Sequence, residues 1–154
     1  GHIGTQEFHG DSGRLGGNLI AKSAYYGPAT HFTRMSAEFE GGTVETILLN
    51  SHVPTSENSF ELRFGVLVKK NPELTSEQNN ELAKQYVQAN RTSFYQDVDI
   101  WKHKARIDNP VLAEGDGPIY QLREWYSQFF MDEADIPAKL KERQEIVTMH
   151  KKDA

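Results

Sequence analysis

The residues best suited to chemistry lie in the run Phe94-Tyr95-Gln96-Asp97-Val98-Asp99-Ile100-Trp101. Phe94, Asp97 and Trp101 are spaced three and then four residues apart, so on a helix they share one face. That face is otherwise apolar, and an ionised carboxylate between two aromatic rings is costly to bury without a partner. Two readings account for it. In the first, Asp97 is a partly exposed surface acid with Lys104 or Arg91 as its counter-ion, since acids are rarely fully buried. In the second it faces a cavity and ligates a metal. Non-haem Fe(II) oxygenases use two histidines and one carboxylate on one face of the metal and leave the remaining positions open. Asp99 points away from the stripe and is the more natural surface acid.

The elements that must position Asp97 follow from periodicity. The strongest strand signal is Phe60, Leu62, Phe64, Val66 and Val68 alternating with Glu61, Arg63 and Lys69. Before it, residues 1–18 read as loop or linker. Ala21–Phe32 is broken by Gly27-Pro28, and Arg34–Phe39 is a short strand ended by Gly41-Gly42. Thr43–Leu49 has Val44, Thr46 and Leu48 on one face and Ile47 and Leu49 on the other. "VPTSENS" reads as a turn, and short polar turns between such runs predict an antiparallel meander.

The period then changes. Thr75 as N-cap with Gln78 three residues on is a capping box. No glycine or proline occurs from Glu73 to Asn109, so a helix of roughly thirty residues can run until Asn109-Pro110. Leu82, Tyr86, Phe94, Asp97 and Trp101 lie on or near one stripe of it. Gly115–Pro118 opens a second helix with a wide aromatic face, Ile119 to Phe130, which packs on the sheet or marks a subunit contact. Residues 132–154 read as a charged tail with one weak helix around Leu140. The predicted class is α+β, a curved antiparallel sheet packed on a long C-terminal helix that it grips, enclosing a cavity.

Composition narrows the function. The 154 residues make about one domain of ordinary globular balance, 37% hydrophobic and 25% charged. A net charge of −5 with scattered Lys and Arg argues against nucleic acid. The lack of cysteine excludes disulfides and any thiolate-held cluster within this chain, and is compatible with a reducing cytoplasm. No apolar run approaches the length of a membrane span, and the start is unlike a signal peptide. That start is polar, glycine-rich and without an initiator methionine, which predicts either a processed N-terminus or a piece of something longer.

"FYQDVDIWKHKARIDNPVLAEGDGPIYQLREWYSQFF" closely resembles the end of the oxygenase component of bacterial 3-ketosteroid 9α-hydroxylases, a branch of the Rieske non-haem iron oxygenases. "YYGP" (Tyr25–Pro28), "ETILLNSHVP" (Glu45–Pro54) and "FELRFGVLVKK" (Phe60–Lys70) extend the resemblance from Gly1 to about Asp135. It implies a helix-grip, START-like catalytic domain, incomplete on its N-terminal side, over residues 1–135, with a charged tail at 136–154. It implies that Asp97 is the carboxylate ligand of a mononuclear Fe(II), and that Tyr25, His31, Thr33, Asn50, Phe94 and Trp101 stand at steroid-pocket positions. His31 and Thr33 replace the Met and Asn of this branch, which leaves the steroid and the ring position open.

The departures are as informative. The iron site also needs two histidines from an upstream helix, and the [2Fe–2S] Rieske cluster needs Cys-x-His and Cys-x-x-His. Neither motif is present. Of His2, His9, His31, His52, His103 and His150, no two stand in a helix at ligand spacing; His52 reads as a pocket-edge residue and His103 as helix surface. For the full-length protein the resemblance implies a 3-ketosteroid substrate, O₂, a flavin-containing ferredoxin reductase, a homotrimer and a cytoplasmic location. By itself this chain is expected to be inactive. Two alternatives remain: a stand-alone sterol or lipid carrier without chemistry, and a related sterol desaturase.

Overall fold

Strands come first and helices after, as the change of hydrophobic period requires. The computed structural model describes residues 3–11, 18–39, 42–113, 116, 118–142 and 144–147. Five strands, β1 (Ile3–Asp11), β2 (Asn18–Tyr26), β3 (Thr30–Phe39), β4 (Gly42–Ser56) and β5 (Ser59–Val68), precede the helices α1 (Ser76–Trp101) and α2 (Ile119–Ser127). A four-residue helix, α3 (Ala138–Lys141), and a last strand, β6 (Gln144–Val147), follow. The sheet order is β5-β4-β3-β2-β1-β6. All neighbours are antiparallel except β1 and β6, which run parallel. The class is α+β, with an antiparallel meander, as the sequence predicts.

Several boundaries differ from the sequence reading, each for a tertiary reason. The stretch that reads as a leading loop holds β1, which pairs with β2 along its whole length and with β6 on its other side. Pairing on both flanks makes a strand of a sequence with little local preference for one. The strand expected at Arg34–Phe39 begins at Thr30, immediately after a tight turn at Gly27 to Ala29. Gly27 sits there at φ 69°, a left-handed conformation that side chains disfavour. The "VPTSENS" turn shrinks to Glu57-Asn58, because β4 and β5 keep pairing to Ser56↔Ser59 across an irregularity after Pro54.

The capping box forms in both directions: the Gln78 amide donates to Thr75 Oγ1 (3.2 Å), and the Thr75 amide to Gln78 Oε1 (2.9 Å). Asn79 reinforces the turn by donating to the carbonyls of Asn71 and Leu74. α1 ends at Trp101, eight residues before Asn109. Residues 102–109 are all exposed, so they have no apolar face to bury, and packing rather than propensity sustains most helices. Arg123 of α2 competes for this segment by donating to the carbonyls of Ile107 (2.8 Å) and Asp108 (2.9 Å).

α1 therefore lies mid-chain, and its main contact with the sheet is with β5. None of its residues is fully buried. The apolar core among the described residues consists of Trp125 and Leu140. Leu140 lies on α3, within the stretch that reads as tail, and that stretch also supplies β6.

Candidate functional site

Cross-strand register assembles the site. Gly4 of β1 opposes Tyr25, Tyr25 opposes His31, His31 opposes Asn50, and Asn50 opposes Phe64 of β5. Directly opposed residues share a face, so these five form one row across the sheet. The row is closed at both ends by helices. Trp125 of α2 lies over Gly4, where a Cβ would stand 3.2 Å from its ring. Phe94 of α1 stacks on Phe64, ring centroids 5.0 Å apart. Between them Tyr25 stacks on His31 at 4.4 Å and leans towards Trp125 at 6.0 Å. Thr33 lies two residues along the same face and shares a 3.1 Å hydrogen bond with its cross-strand partner Ser23.

Asn50 is 8% exposed, and its Oδ1 has no hydrogen-bond partner. A buried orphan acceptor costs about 1–3 kcal/mol, which a ligand or water donor would relieve. Burial lowers the His31 pKa, with a further lowering from His52. Burial raises that of the Tyr25 phenol, with a smaller effect of Tyr126. Both groups are thus held neutral at neutral pH, in a row that offers aromatic surface and uncharged hydrogen-bonding groups.

Asp97 lies half-buried on the same stripe of α1 as Phe94. Among the described residues it makes no hydrogen bond or ion pair. Arg91 turns instead to the Tyr95 hydroxyl (3.5 Å), and it is Asp99 that takes Lys102 (3.1 Å). The surface reading of Asp97 therefore lacks the counter-ions it invoked. Trp101, at the end of α1, is 39% exposed, and the structure does not bring it into ring contact with the row. His52 stacks on Phe60 at 5.5 Å, beside the row. His103 is exposed just beyond α1.

No group of three His, Asp or Glu able to hold a metal occurs among the described residues. Asp97 offers one carboxylate, and one carboxylate does not make an iron site. Two grooves are prominent. The larger, 680 Å³, lies among Ile20, Lys22, Arg34 and Leu67 on the face away from the row. The smaller, 330 Å³, runs between α2 and Tyr25, with Arg106 and Phe130 on its walls. The smaller one matters more for the site because Tyr25 joins it to the row. Sequence reasoning missed Gly4, Ser23, Phe64 and Trp125. Phe64 and Trp125 carried a signal in their apolar periodicity; Gly4 carried none.

Fold and row together define an α+β domain with one polar–aromatic sheet face closed by helices at either end. The chain belongs to the 3-ketosteroid 9α-hydroxylase C-terminal domain family, whose model matches residues 1–130. It is 42% identical to a 3-ketosteroid-9-alpha-monooxygenase oxygenase component of Rhodococcus rhodochrous, over 93% of this chain and 39% of that protein. It is 40% identical to the protein of the same description from Mycobacterium tuberculosis, over 95% of this chain and 40% of the relative. A shorter match, 43% identical over 32% of this chain and 11% of the relative, is to the cholesterol 7-desaturase of Caenorhabditis elegans. The chain thus spans about 40% of the length of the oxygenase components it matches. No described helix is long and apolar enough to cross a membrane.

Proposed function

We propose that this chain is the C-terminal part of the catalytic domain of a Rieske-type steroid monooxygenase that uses O₂ to hydroxylate 3-ketosteroids at the 9α position. Residues 1–135 belong to that domain and 136–154 extend it. In this reading the domain is a helix-grip fold, and the face of α1 turned to β5 is completed by chain outside these residues. The observation that carries the proposal is Asp97: a half-buried carboxylate without a partner among the described residues, one turn from the Phe94–Phe64 stack that ends the row. A cation relieves such a group, and family membership names the oxygenase whose iron would do so. Asp97 is then the carboxylate ligand of a mononuclear Fe(II), with its two histidine ligands and the [2Fe–2S] cluster in the part of the protein beyond this chain.

The residues at hand would do the binding. Tyr25, His31, Phe94 and Trp101 present apolar ring surface to a sterol nucleus, and His31 and Tyr25 do so without charge. Asn50 and Thr33 offer amide and hydroxyl groups to a ligand oxygen. The apolar walls exclude water and fix which C–H bond faces the site. The full-length protein would receive electrons from a flavin-containing ferredoxin reductase, act as a homotrimer and reside in the cytoplasm. The chain alone would not hydroxylate, because one carboxylate does not compete with water for Fe(II).

The test is iron content and O₂-dependent steroid product in the full-length oxygenase after anaerobic Fe(II) loading, wild type beside Asp97→Ala. Iron and product are both expected to fall to background in the variant while its circular dichroism is unchanged. A variant that keeps its iron and activity removes Asp97 from the ligand set and the proposal with it. Steroid binding by a full-length protein that takes up no iron would instead make it a carrier.

A further inference from the structure

The turn between β2 and β3 carries the middle of the row. Tyr25 stands two residues before Gly27-Pro28-Ala29 and His31 two residues after it. Their rings meet at 4.4 Å across the hairpin, so a shift of the turn moves the ring surface that a ligand on the row would meet. The turn has no polar side chain with which to fasten itself. Its backbone carbonyls are held instead. From β4, the His52 N–H donates to the carbonyl of Ala29 at 2.8 Å. From α2, the Tyr126 hydroxyl donates to the carbonyl of Pro28, also at 2.8 Å.

The rest of the contact between α2 and this hairpin is ring surface. Trp125 leans on Tyr25 at 6.0 Å and lies 6.2 Å from the Tyr126 ring. The Tyr126 phenol is near enough to Tyr25 to help raise its pKa, and both tyrosines line the 330 Å³ groove. Apolar burial has no preferred direction, whereas a hydrogen bond has a fixed length and angle. The Tyr126 hydroxyl is thus what fixes the turn against α2. The same helix supplies a matched comparison. Tyr120, near its start, donates to the carbonyl of Pro110 at 2.7 Å. Donor, acceptor and length are alike, but Pro110 belongs to the connection between α1 and α2, not to the row.

We propose that Tyr126 is a positioning residue for the steroid site: by holding the Pro28 carbonyl it sets the Tyr25–His31 pair, and with it the orientation of the bound steroid. The proposal rests on the oxygenase reading above and adds to it a residue that acts through Tyr25 and His31.

Steady-state kinetics of the full-length oxygenase with its reductase test it, with progesterone as the 3-ketosteroid and Tyr126→Phe beside Tyr120→Phe. Each substitution removes one hydroxyl and keeps the ring. Both should lower the melting temperature to a similar extent and leave iron content at the wild-type level. Tyr126→Phe alone should raise KM about fivefold, the net effect of one hydrogen bond, without an equal change in kcat. It should also spread hydroxylation over more than one ring position. The steroid dissociation constant, measured without O₂ by equilibrium dialysis, should rise with KM. Tyr120→Phe should keep the wild-type KM, dissociation constant and product pattern. If Tyr126→Phe matches Tyr120→Phe in all three, the bond serves stability alone and the proposal is overturned. A wild-type protein that binds progesterone without converting it removes the oxygenase reading, and the dissociation constants then decide on Tyr126 in the same way. A wild-type protein that binds no steroid overturns both.

Discussion

The two ends of the polar–aromatic row are built differently. At the α2 end, Trp125 is 1% exposed, lies directly over the backbone of Gly4 and is ringed by Tyr25, Tyr126 and Phe129. The Tyr126 hydroxyl also donates to the carbonyl of Pro28 (2.8 Å), tying α2 to the β2–β3 turn. At the α1 end, a 26-residue helix rests mainly on one edge strand through Phe94 and Phe64 and buries no residue fully. One end is closed by packing; at the other the Asp97 carboxylate has no partner among the described residues and lies on a half-buried stripe. The contrast separates where the fold is held tightly from where it is held loosely.

Trp125→Ala is the most disruptive way to break this comparison. Removing a fully buried tryptophan from the closed end should cost about 3–5 kcal/mol, read as the shift in urea unfolding midpoint. A loss below about 1 kcal/mol would mean that the α2 end does not hold the fold. Gly4→Ala tests the same contact from the strand side. The added methyl would sit 3.2–3.4 Å from three atoms of the indole, and the surrounding rings leave the indole little room to yield. A net destabilisation of about 1–3 kcal/mol is expected, because the crowding outweighs the roughly 0.4–1 kcal/mol contributed by alanine's smaller unfolded-state entropy.

Phe94→Ala acts at the other end, where half-exposure reduces the cost of a core phenylalanine to about 2 kcal/mol. It sharpens the comparison when followed by two probes. Unfolding midpoint should move less than for Trp125→Ala, whereas hydrogen exchange in α1 should rise more, because α1 has little else to fasten it. Equal protection of α1 in wild type and variant would show that the helix is fastened elsewhere.

What the sequence revealed follows the same division. The start of α1 was legible because a capping box is a local device: Thr75 and Gln78 satisfy each other's backbone whatever the rest of the chain does. The Phe60–Val68 strand and the stripe holding Phe94 and Asp97 were legible because period marks a buried face. β1, β6 and the early end of α1 were not, since they depend on partners far along the chain: β2 and β6 flank β1, and Arg123 takes the carbonyls of Ile107 and Asp108. The row was half legible. Tyr25, His31 and Asn50 came from the family resemblance, but their alignment across three strands is a matter of register, which no single segment encodes. Gly4 acquires its meaning only when Trp125 arrives more than a hundred residues later.

The smallest expected effect is on pH dependence, and it probes the stretch of the row between the two ends. Burial, with a lesser contribution from His52, lowers the His31 pKa below its ordinary 6.5. As pH falls through about 6.5, the unfolded chain takes up a proton that the folded chain resists. Stability from this source is therefore complete above that pH and declines as pH drops towards the lowered folded value. The phenol of Tyr25, stacked on His31, is shifted in the opposite sense, raised above 10.0 chiefly by burial. The unfolded chain ionises first as pH rises past about 10, so stability is lost on that limb too. Keeping the same ring surface without the titrating group, His31→Phe should flatten the decline in urea midpoint below about pH 6.5 while leaving the alkaline limb, which belongs to Tyr25. Parallel acid limbs for wild type and His31→Phe would mean that His31 is not held neutral by the fold, and that water reaches the middle of the row.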